Sequence, residues 1–376
     1  MLQKTLAASA LILLASIPAH AAKVVTIGFA GSLTGSQAHL GKEIEQGIRL
    51  ALEEINAQHP KIRGETIEFR LDAQDDAADP RLATTVAQRF IDNGVIAVIG
   101  HESSSASIAT ARLYAAAGIA EITPSATNPE FTRLGYRTAF RMVPNDNFLG
   151  KAIATYTTTT LKARRIAVLD DRSAYGQGIA DVFADSVRNS GATIVSREYT
   201  NDKAVDFKPQ LTRIKRSQPD AVFFGGMDAQ AGMVLKQLKQ LSIDTPFAGG
   251  DGICTGTLPQ LAGSSFIDNV VCADAGLSLN AMPGGVTFAK RFQSRFGEPV
   301  KLYAPYAYDT TMAIYRAVLD AQSVDAARIV DALHRISFAG VSGQISFDEH
   351  GDLRSPVATI TRYQDSVKTP ITIVRD

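Results

Sequence analysis

Residues 95–130 read VIAVIGHESSSASIATARLYAAAGIAEITPSATNPE, and this stretch decides the fold. The run 95–99 is short, apolar and bounded by Gly100, the pattern of a buried strand. Ser103, Ser104 and Ser105 then open a helix-like segment that ends near Gly118. A second apolar run follows and breaks at residues 123–127 (TPSAT). Hydroxyls and free backbone N–H groups therefore gather where two adjacent strands end. A helix N-terminus carries roughly half a positive charge and several unpaired N–H donors, a ready seat for a small carboxylate. In an open α/β sheet, ligands sit at the carboxyl ends of strands. The pattern gives an anion seat without naming the ligand. The plain alternative is that the serines only cap the helix; one can cap while the next faces a cleft.

The same alternation continues outward from this stretch. Residues 24–29, 66–71, 165–169 and 221–224 read as strands, and 41–58, 80–92, 175–189 and 229–241 as helices. In the first of these helices Ile44, Ile48, Leu52 and Ile55 form one stripe. Shorter β-branched runs at 193–196 and 270–272 fit further strands. Residues 283–296, 303–321 and 324–336 read as helices, and the tail from Val341 as β-rich. Strand–helix alternation of this kind predicts an α/β protein with parallel sheets flanked by helices. The chain has 376 residues, too many for one comfortable core, so two lobes are expected. One boundary falls near 144–147. No internal repeat or low-complexity tract is present.

The first 21 residues have the form of a secretory signal. Lys4 is the lone early charge, 6–17 is the apolar core, and Ala19, His20 and Ala21 fit a small-x-small cleavage site. An uncleaved anchor is the alternative, but the apolar run is short for a ~20-residue span. No cysteine lies near the cleavage site to take a lipid. The sequence has 38 basic and 38 acidic residues, so no basic surface and no nucleic-acid partner is expected. The two cysteines, Cys254 and Cys272, would pair as a disulfide in an oxidising compartment; two buried thiols are the alternative. No metal site is expected, because the histidines show no ligand spacing. Enzyme motifs are absent: there is no G-x-S-x-G elbow and no P-loop, and Gly250, Gly252 and Gly256 miss the dinucleotide spacing. His101 beside Ser103 and Ser104 is the nearest approach to a catalytic set.

Gly100-His101 with the three serines, then Ile122-Thr123-Pro124 with Ala126, Thr127, Pro129 and Glu130, resembles the periplasmic leucine/isoleucine/valine-binding proteins of ABC uptake systems. Further matching positions run in order along the chain: 31–35 (GSLTG), Gly41, Asp75 and Asp76 with Asp79 and Pro80, Tyr175 and Gly176, Gly225 and Gly226, 250–252 (GDG), and Phe347 and Asp348 with Gly351 and Asp352. The resemblance implies the type I periplasmic binding fold, with two Rossmann-like lobes and three chain crossings at a hinge. Residues 22–145 and 276–342 would form one lobe, and 146–275 and 343–376 the other. A ligand in the cleft would be trapped by hinge closure.

An apolar amino acid needs hydroxyl and N–H donors for its carboxylate, a carboxylate or carbonyls for its ammonium, and an apolar wall. By the resemblance, Ser104 and Thr127 bind the carboxylate, with Ser103 beside them. Ser125 would turn its backbone carbonyl toward the ammonium. Asp251 is the ammonium's partner, where close relatives often carry glutamate; its alternative is a turn aspartate in GGDG. Tyr175 closes over the ligand from the second lobe, and Tyr303 adds to the wall. Met227 and Leu40 stand where relatives have aromatics and reshape the side-chain pocket, unless both are plain core residues. A family disulfide joins the positions that here are Ala78 and Ser103, so that bridge is absent. The resemblance thus implies a periplasmic, monomeric solute-binding protein without cofactor or catalysis. It would take a small aliphatic, branched-chain type α-amino acid and deliver it to inner-membrane ABC permease subunits. Alternatives within the fold are an amide, urea or aromatic acid as ligand, or a sensory role; a secreted enzyme is the third.

Overall fold

The computed structural model describes residues 22–263 and 267–375; the expected signal segment lies outside them. Two sheets dominated by parallel pairing carry the fold. The first runs, edge to edge, Lys61–Ile62, Glu65–Asp75, Lys23–Gly31, Ala97–Ile99, Ala120–Thr123 and Ala139–Arg141. All its pairs are parallel except the hairpin at one edge. The quoted stretch supplies two of these strands and the helix Ser104–Ala117 between them. Ser103 caps that helix by accepting the Ala106 N–H, and Gly118 ends it at φ 70°, a left-handed conformation that favours glycine. Pro80–Asp92 forms with Asp79 as its N-cap. In Ala38–Asn56 the stripe Ile44, Ile48, Leu52 and Ile55 is buried.

The second sheet runs Val367–Arg375, Val357–Gln364, Val270–Asp274, Phe247–Gly249, Ala221–Gly225, Arg165–Asp170 and Thr193–Tyr199. The strands from 165 to 274 are parallel, and the two C-terminal strands add antiparallel. Between Val270–Asp274 and these last strands the chain returns to the first half. There Ala304–Ala321 packs along Ala38–Asn56, and Ala326–Leu333 packs on Ala120–Thr123. A Cβ on Gly47 would stand 2.5 Å from the Ala304 carbonyl oxygen, so the close approach of these two helices needs glycine. The chain thus passes three times between the halves. One crossing is pinned by Arg141, which is fully buried and donates to Asp352 Oδ1 at 2.8 Å and to the Ala126 and Asn128 carbonyls at 2.7 and 2.9 Å. Asn145 holds the other Asp352 oxygen at 3.0 Å.

Several elements had no sequence expectation, among them the strand Ala139–Arg141 and the helices Asp146–Thr159 and Lys208–Arg216. Asp146–Thr159 contains four threonines and a glycine, poor helix formers. It is helical because it packs on Ala174–Asn189, and Thr157 and Thr158 turn their hydroxyls back onto the Ile153 and Ala154 carbonyls. Lys208–Arg216 buries only Leu211 and Ile214, too few apolar positions to set a period. Cys254 and Cys272 are joined in a disulfide. No helix among the described residues is long and apolar enough to cross a membrane.

Candidate functional site

In the first sheet Lys23–Gly31 lies between Glu65–Asp75 and Ala97–Ile99, so the connections leave in opposite directions and open a crevice at the strand ends. In the second, Arg165–Asp170 lies likewise between Thr193–Tyr199 and Ala221–Gly225. The segments that follow these strand ends meet around a cavity of about 280 Å³. Of the residues read from sequence, Ser103, Ser104, Ser125, Tyr175, Met227, Asp251 and Tyr303 line it. Thr127 and Leu40 are not among its lining residues. Leu40 is fully buried in the core cluster with Phe29 and Ile44. Thr127 is fully buried, and its hydroxyl lies near enough to Asp146 to favour that carboxylate's charge, yet meets no partner at hydrogen-bond geometry.

The serines divide the two readings between them. Ser103 Oγ accepts the Ala106 N–H at 3.3 Å as the helix cap. Ser104 Oγ accepts the Asn128 N–H at 3.2 Å, which leaves its own proton to donate to a cavity anion. Ser105 Oγ accepts the Ala174 N–H at 3.1 Å across the cleft. Ser125 donates its hydroxyl to the Glu102 carbonyl at 2.9 Å.

Asp251 is fully buried on the 3₁₀ turn Asp251–Ile253. Its two oxygens accept from the Tyr175 hydroxyl at 3.0 Å and the Tyr303 hydroxyl at 2.7 Å. The Gly252 N–H donates to Tyr175 in turn at 2.8 Å. Burial pushes the Asp251 carboxyl up to about 6; the Tyr303 and Tyr175 hydrogen bonds oppose the rise and Asp274 adds to it. The turn is anchored behind by the Cys254–Cys272 bond and by Tyr363, whose hydroxyl donates to the Ile253 and Thr255 carbonyls at 3.0 and 2.8 Å. This arrangement presents a buried acid to a cation, with two aromatic walls beside it.

Further bonds draw the halves together. Asn128 Nδ2 donates to the Ala174 carbonyl at 2.6 Å. His39 Nε2 meets Asp228 Oδ2 at 2.9 Å, and Thr255 donates to the same oxygen at 2.6 Å. His101 takes no part: its ring nitrogens are held by Asp76 at 2.6 Å and the Tyr114 hydroxyl at 3.1 Å, so no serine is activated by it.

The cavity also contains residues that sequence reasoning missed. Glu102, Ser105, Asp171 and Arg172 line it. Asp171 Oδ1 accepts from the Ser173 N–H and hydroxyl at 2.9 and 2.6 Å, and burial raises its carboxyl to about 6 against those bonds. Its signal was the doubled Asp170-Asp171 at a strand end. Glu102 is the larger omission, a carboxylate inside the decisive stretch and next to the capping serine.

The periplasmic binding protein family model matches residues 24–365. An amino acid binding protein of Pseudomonas aeruginosa is 33% identical over 350 residues, 93% of this chain and 92% of its own. A leucine-, isoleucine-, valine-, threonine- and alanine-binding protein of the same organism is 30% identical over 352 residues, 93% of each chain. Among solved structures, the branched-chain amino acid transporter substrate-binding protein of Streptococcus pneumoniae in complex with isoleucine matches with a TM-score of 0.84 at 26% identity. The match covers 94% of this chain and 100% of that one. Ordered motifs, paired sheets and a shared cleft converge on one assignment: this chain belongs to the periplasmic binding protein family.

Proposed function

We propose that the protein captures a small aliphatic, branched-chain type α-amino acid in its interlobe cavity and delivers it, as a periplasmic monomer, to an ABC permease. No covalent chemistry is involved. The observation that carries this reading is Asp251, a fully buried carboxylate held by two tyrosine hydroxyls, which lines one cavity together with Ser104 at the N-terminus of Ser104–Ala117. One end of the cavity suits an ammonium and the other a carboxylate, which is the signature of a zwitterion. Ser104 and the helix N–H groups hold the carboxylate from the first half; Asp251 and Tyr175 engage the ammonium from the second; Ala126, Met227 and Tyr303 supply wall. The names of the relatives support the same ligand class. Contacts to both halves make the ligand favour the closed form.

The test is calorimetric titration of protein unfolded, stripped of carried-over ligand and refolded, with leucine, isoleucine, valine, alanine, phenylalanine, glutamate and an aliphatic amide. Tight binding of aliphatic α-amino acids with the amide silent is expected. A folded protein that binds the amide, urea or an aromatic acid and no α-amino acid overturns the reading.

A further inference from the structure

We propose that the groove between the helix Asp146–Thr159 and the two C-terminal strands is a second binding site, for a small organic anion: one negatively charged head on a short apolar body. The inference stands apart from the interlobe cavity and does not rest on the ligand proposed for it.

The groove encloses about 740 Å³, a volume ordinary for a small-molecule site. One wall is the helix Asp146–Thr159. Its Phe148, Ala152 and Tyr156 line the groove, and their four-residue spacing puts them in one stripe. The other side of this helix is committed to Ala174–Asn189, where a Cβ on Gly150 would stand 2.8 Å from Val182 Cγ1. The facing wall is Ile360 and Val374, from the strands Val357–Gln364 and Val367–Arg375, with Leu353 beside them. Phe148, Tyr156, Leu353 and Val374 are only partly buried: they pack on the core and also line the groove.

Three bases line the same groove, Arg133, Lys151 and Arg354. All are exposed, and none forms an ion pair with a described residue. The two acids of the groove are already engaged. Asp352 accepts from Arg141 at 2.8 Å and from Asn145 at 3.0 Å. Asp348 Oδ1 accepts the His350 and Asp352 N–H groups, each at 2.9 Å. Since Arg141 neutralises Asp352, the three free bases outweigh Asp348 and leave the groove positive.

An apolar stripe rimmed by polar groups marks a binding groove more often than plain surface. A hydrocarbon would cover the stripe and leave the bases unanswered; an inorganic anion would do the reverse. A charged head on an apolar body answers both. An exposed ion pair contributes little by itself, so burial of the apolar body supplies most of the affinity, and the bases select the sign of the head. Arg133 precedes the strand Ala139–Arg141 of the first sheet, whereas Lys151 lies on a helix packed in the second half, so an occupant would touch both halves.

The experiment titrates the protein calorimetrically with octanoate, octyl phosphate and octyltrimethylammonium. The first two separate a carboxylate head from a phosphate; the third reverses the charge on the same chain. Saturable one-site binding of at least one anion is expected, with a Kd of about 1 mM or tighter, and the cation about tenfold weaker or more. Replacing Lys151 and Arg354 together by glutamine, both exposed and so harmless to folding, should weaken the anion about tenfold. Tyr156→Ser should weaken it through the lost apolar wall. Arg172→Gln, in the interlobe cavity, should change nothing. No saturable binding of either anion overturns the proposal, as does a cation that binds equally well. Anion binding that the Lys151 and Arg354 double variant leaves within about twofold also overturns it, and loss in Arg172→Gln instead would place the anion in the interlobe cavity and overturn it too. Amino acid binding is untouched by each of these outcomes, so the proposed function stands or falls separately.

Discussion

Replacing Asp251 by asparagine removes the charge assigned to the ammonium while keeping side-chain size and the two tyrosine contacts at 2.7 and 3.0 Å. The Asp251 carboxyl, raised by burial to about 6, is about nine-tenths ionised at pH 7, so a ligand ammonium meets a charge there. Its removal leaves that ammonium buried and unpaired, a loss of about 2–5 kcal/mol, or roughly 30-fold to several thousandfold in Kd. The geometry also sets a pH signature. In the complex the ammonium holds Asp251 ionised, so its bound pKa lies below its free value. Affinity is then full above about pH 6 and falls as protons compete below it, by about tenfold at pH 5. Asp171 and Glu102 line the same cavity and His39 faces Asp228 across the cleft; all three remain in Asp251→Asn, so the difference between the two pH profiles isolates Asp251. Titration calorimetry between pH 5 and 8, in buffers of differing ionisation enthalpy, reads both affinity and proton release. An Asp251→Asn protein within threefold of the parent at pH 7, or identical profiles for the two proteins, refutes the assignment.

Three further outcomes follow from the packing. Arg141→Met leaves Asp352 buried without its cation and should lower stability by about 3–5 kcal/mol in urea unfolding. Burial raises the Asp352 carboxyl, but Arg141 and the hydrogen bonds outweigh it and hold it below the usual range. The stabilisation is therefore present above the unfolded value and lost as pH falls through the folded one, so the deficit of the variant should shrink in acid. Changing Cys254 and Cys272 to serine should cost about 3 kcal/mol for an 18-residue separation and weaken ligand binding, because the Cys254 N–H donates to the Asp251 carbonyl; unchanged affinity would mean Tyr363 and Tyr175 hold the turn unaided. Burial pulls the His39 pKa down, but Asp228 prevails and it ends raised. Its cross-cleft contribution is full below about pH 6.5 and fades above the folded value. His39→Gln should thus speed ligand release severalfold at pH 6 and little at pH 9, measured by stopped-flow dissociation.

The strands and helices at the strand-end crevices were legible because each buries a face wholly, as the stripe Ile44, Ile48, Leu52 and Ile55 does. Boundaries held where a side chain enforces them, as at Asp79 and Ser103. Asp146–Thr159 was hidden because tertiary packing overrides the low helix propensity of its threonines. At the site, residue type predicted what lines the cavity better than what each group does there. Ser103, Ser104 and Ser105 are alike in sequence and all line the cavity, yet one caps the helix, one accepts from Asn128 and one bonds Ala174 in the other half. That division depends on helical phase. Leu40 resembled a pocket residue by position in a motif, but its helix turns it into the core. Glu102 was overlooked because its surroundings become buried only when Gly41 lets the Ser32 loop close over it.

The acids of the cleft explain why ligand should govern closure. Asp251, Glu102 and Asp171 line one cavity, and burial raises all three. Closing the halves removes these carboxyls from water, which disfavours their charged forms. Against that stand a few cross-cleft bonds, among them Ser105 and Asn128 to Ala174, His39 to Asp228 and Tyr303 to Asp251. A ligand ammonium adds the missing positive charge where Tyr303 from one half meets Asp251 from the other. A ligand shifts an equilibrium by its differential affinity for the two states and by nothing else. Here that difference is concentrated at one desolvated carboxylate. An α-hydroxy acid of the same shape, which lacks the ammonium, should therefore fill the open cleft without closing it, and small-angle scattering would show the leucine-bound protein more compact than one saturated with 2-hydroxyisocaproate. Equal compaction by both would place the closing force in the side-chain wall instead.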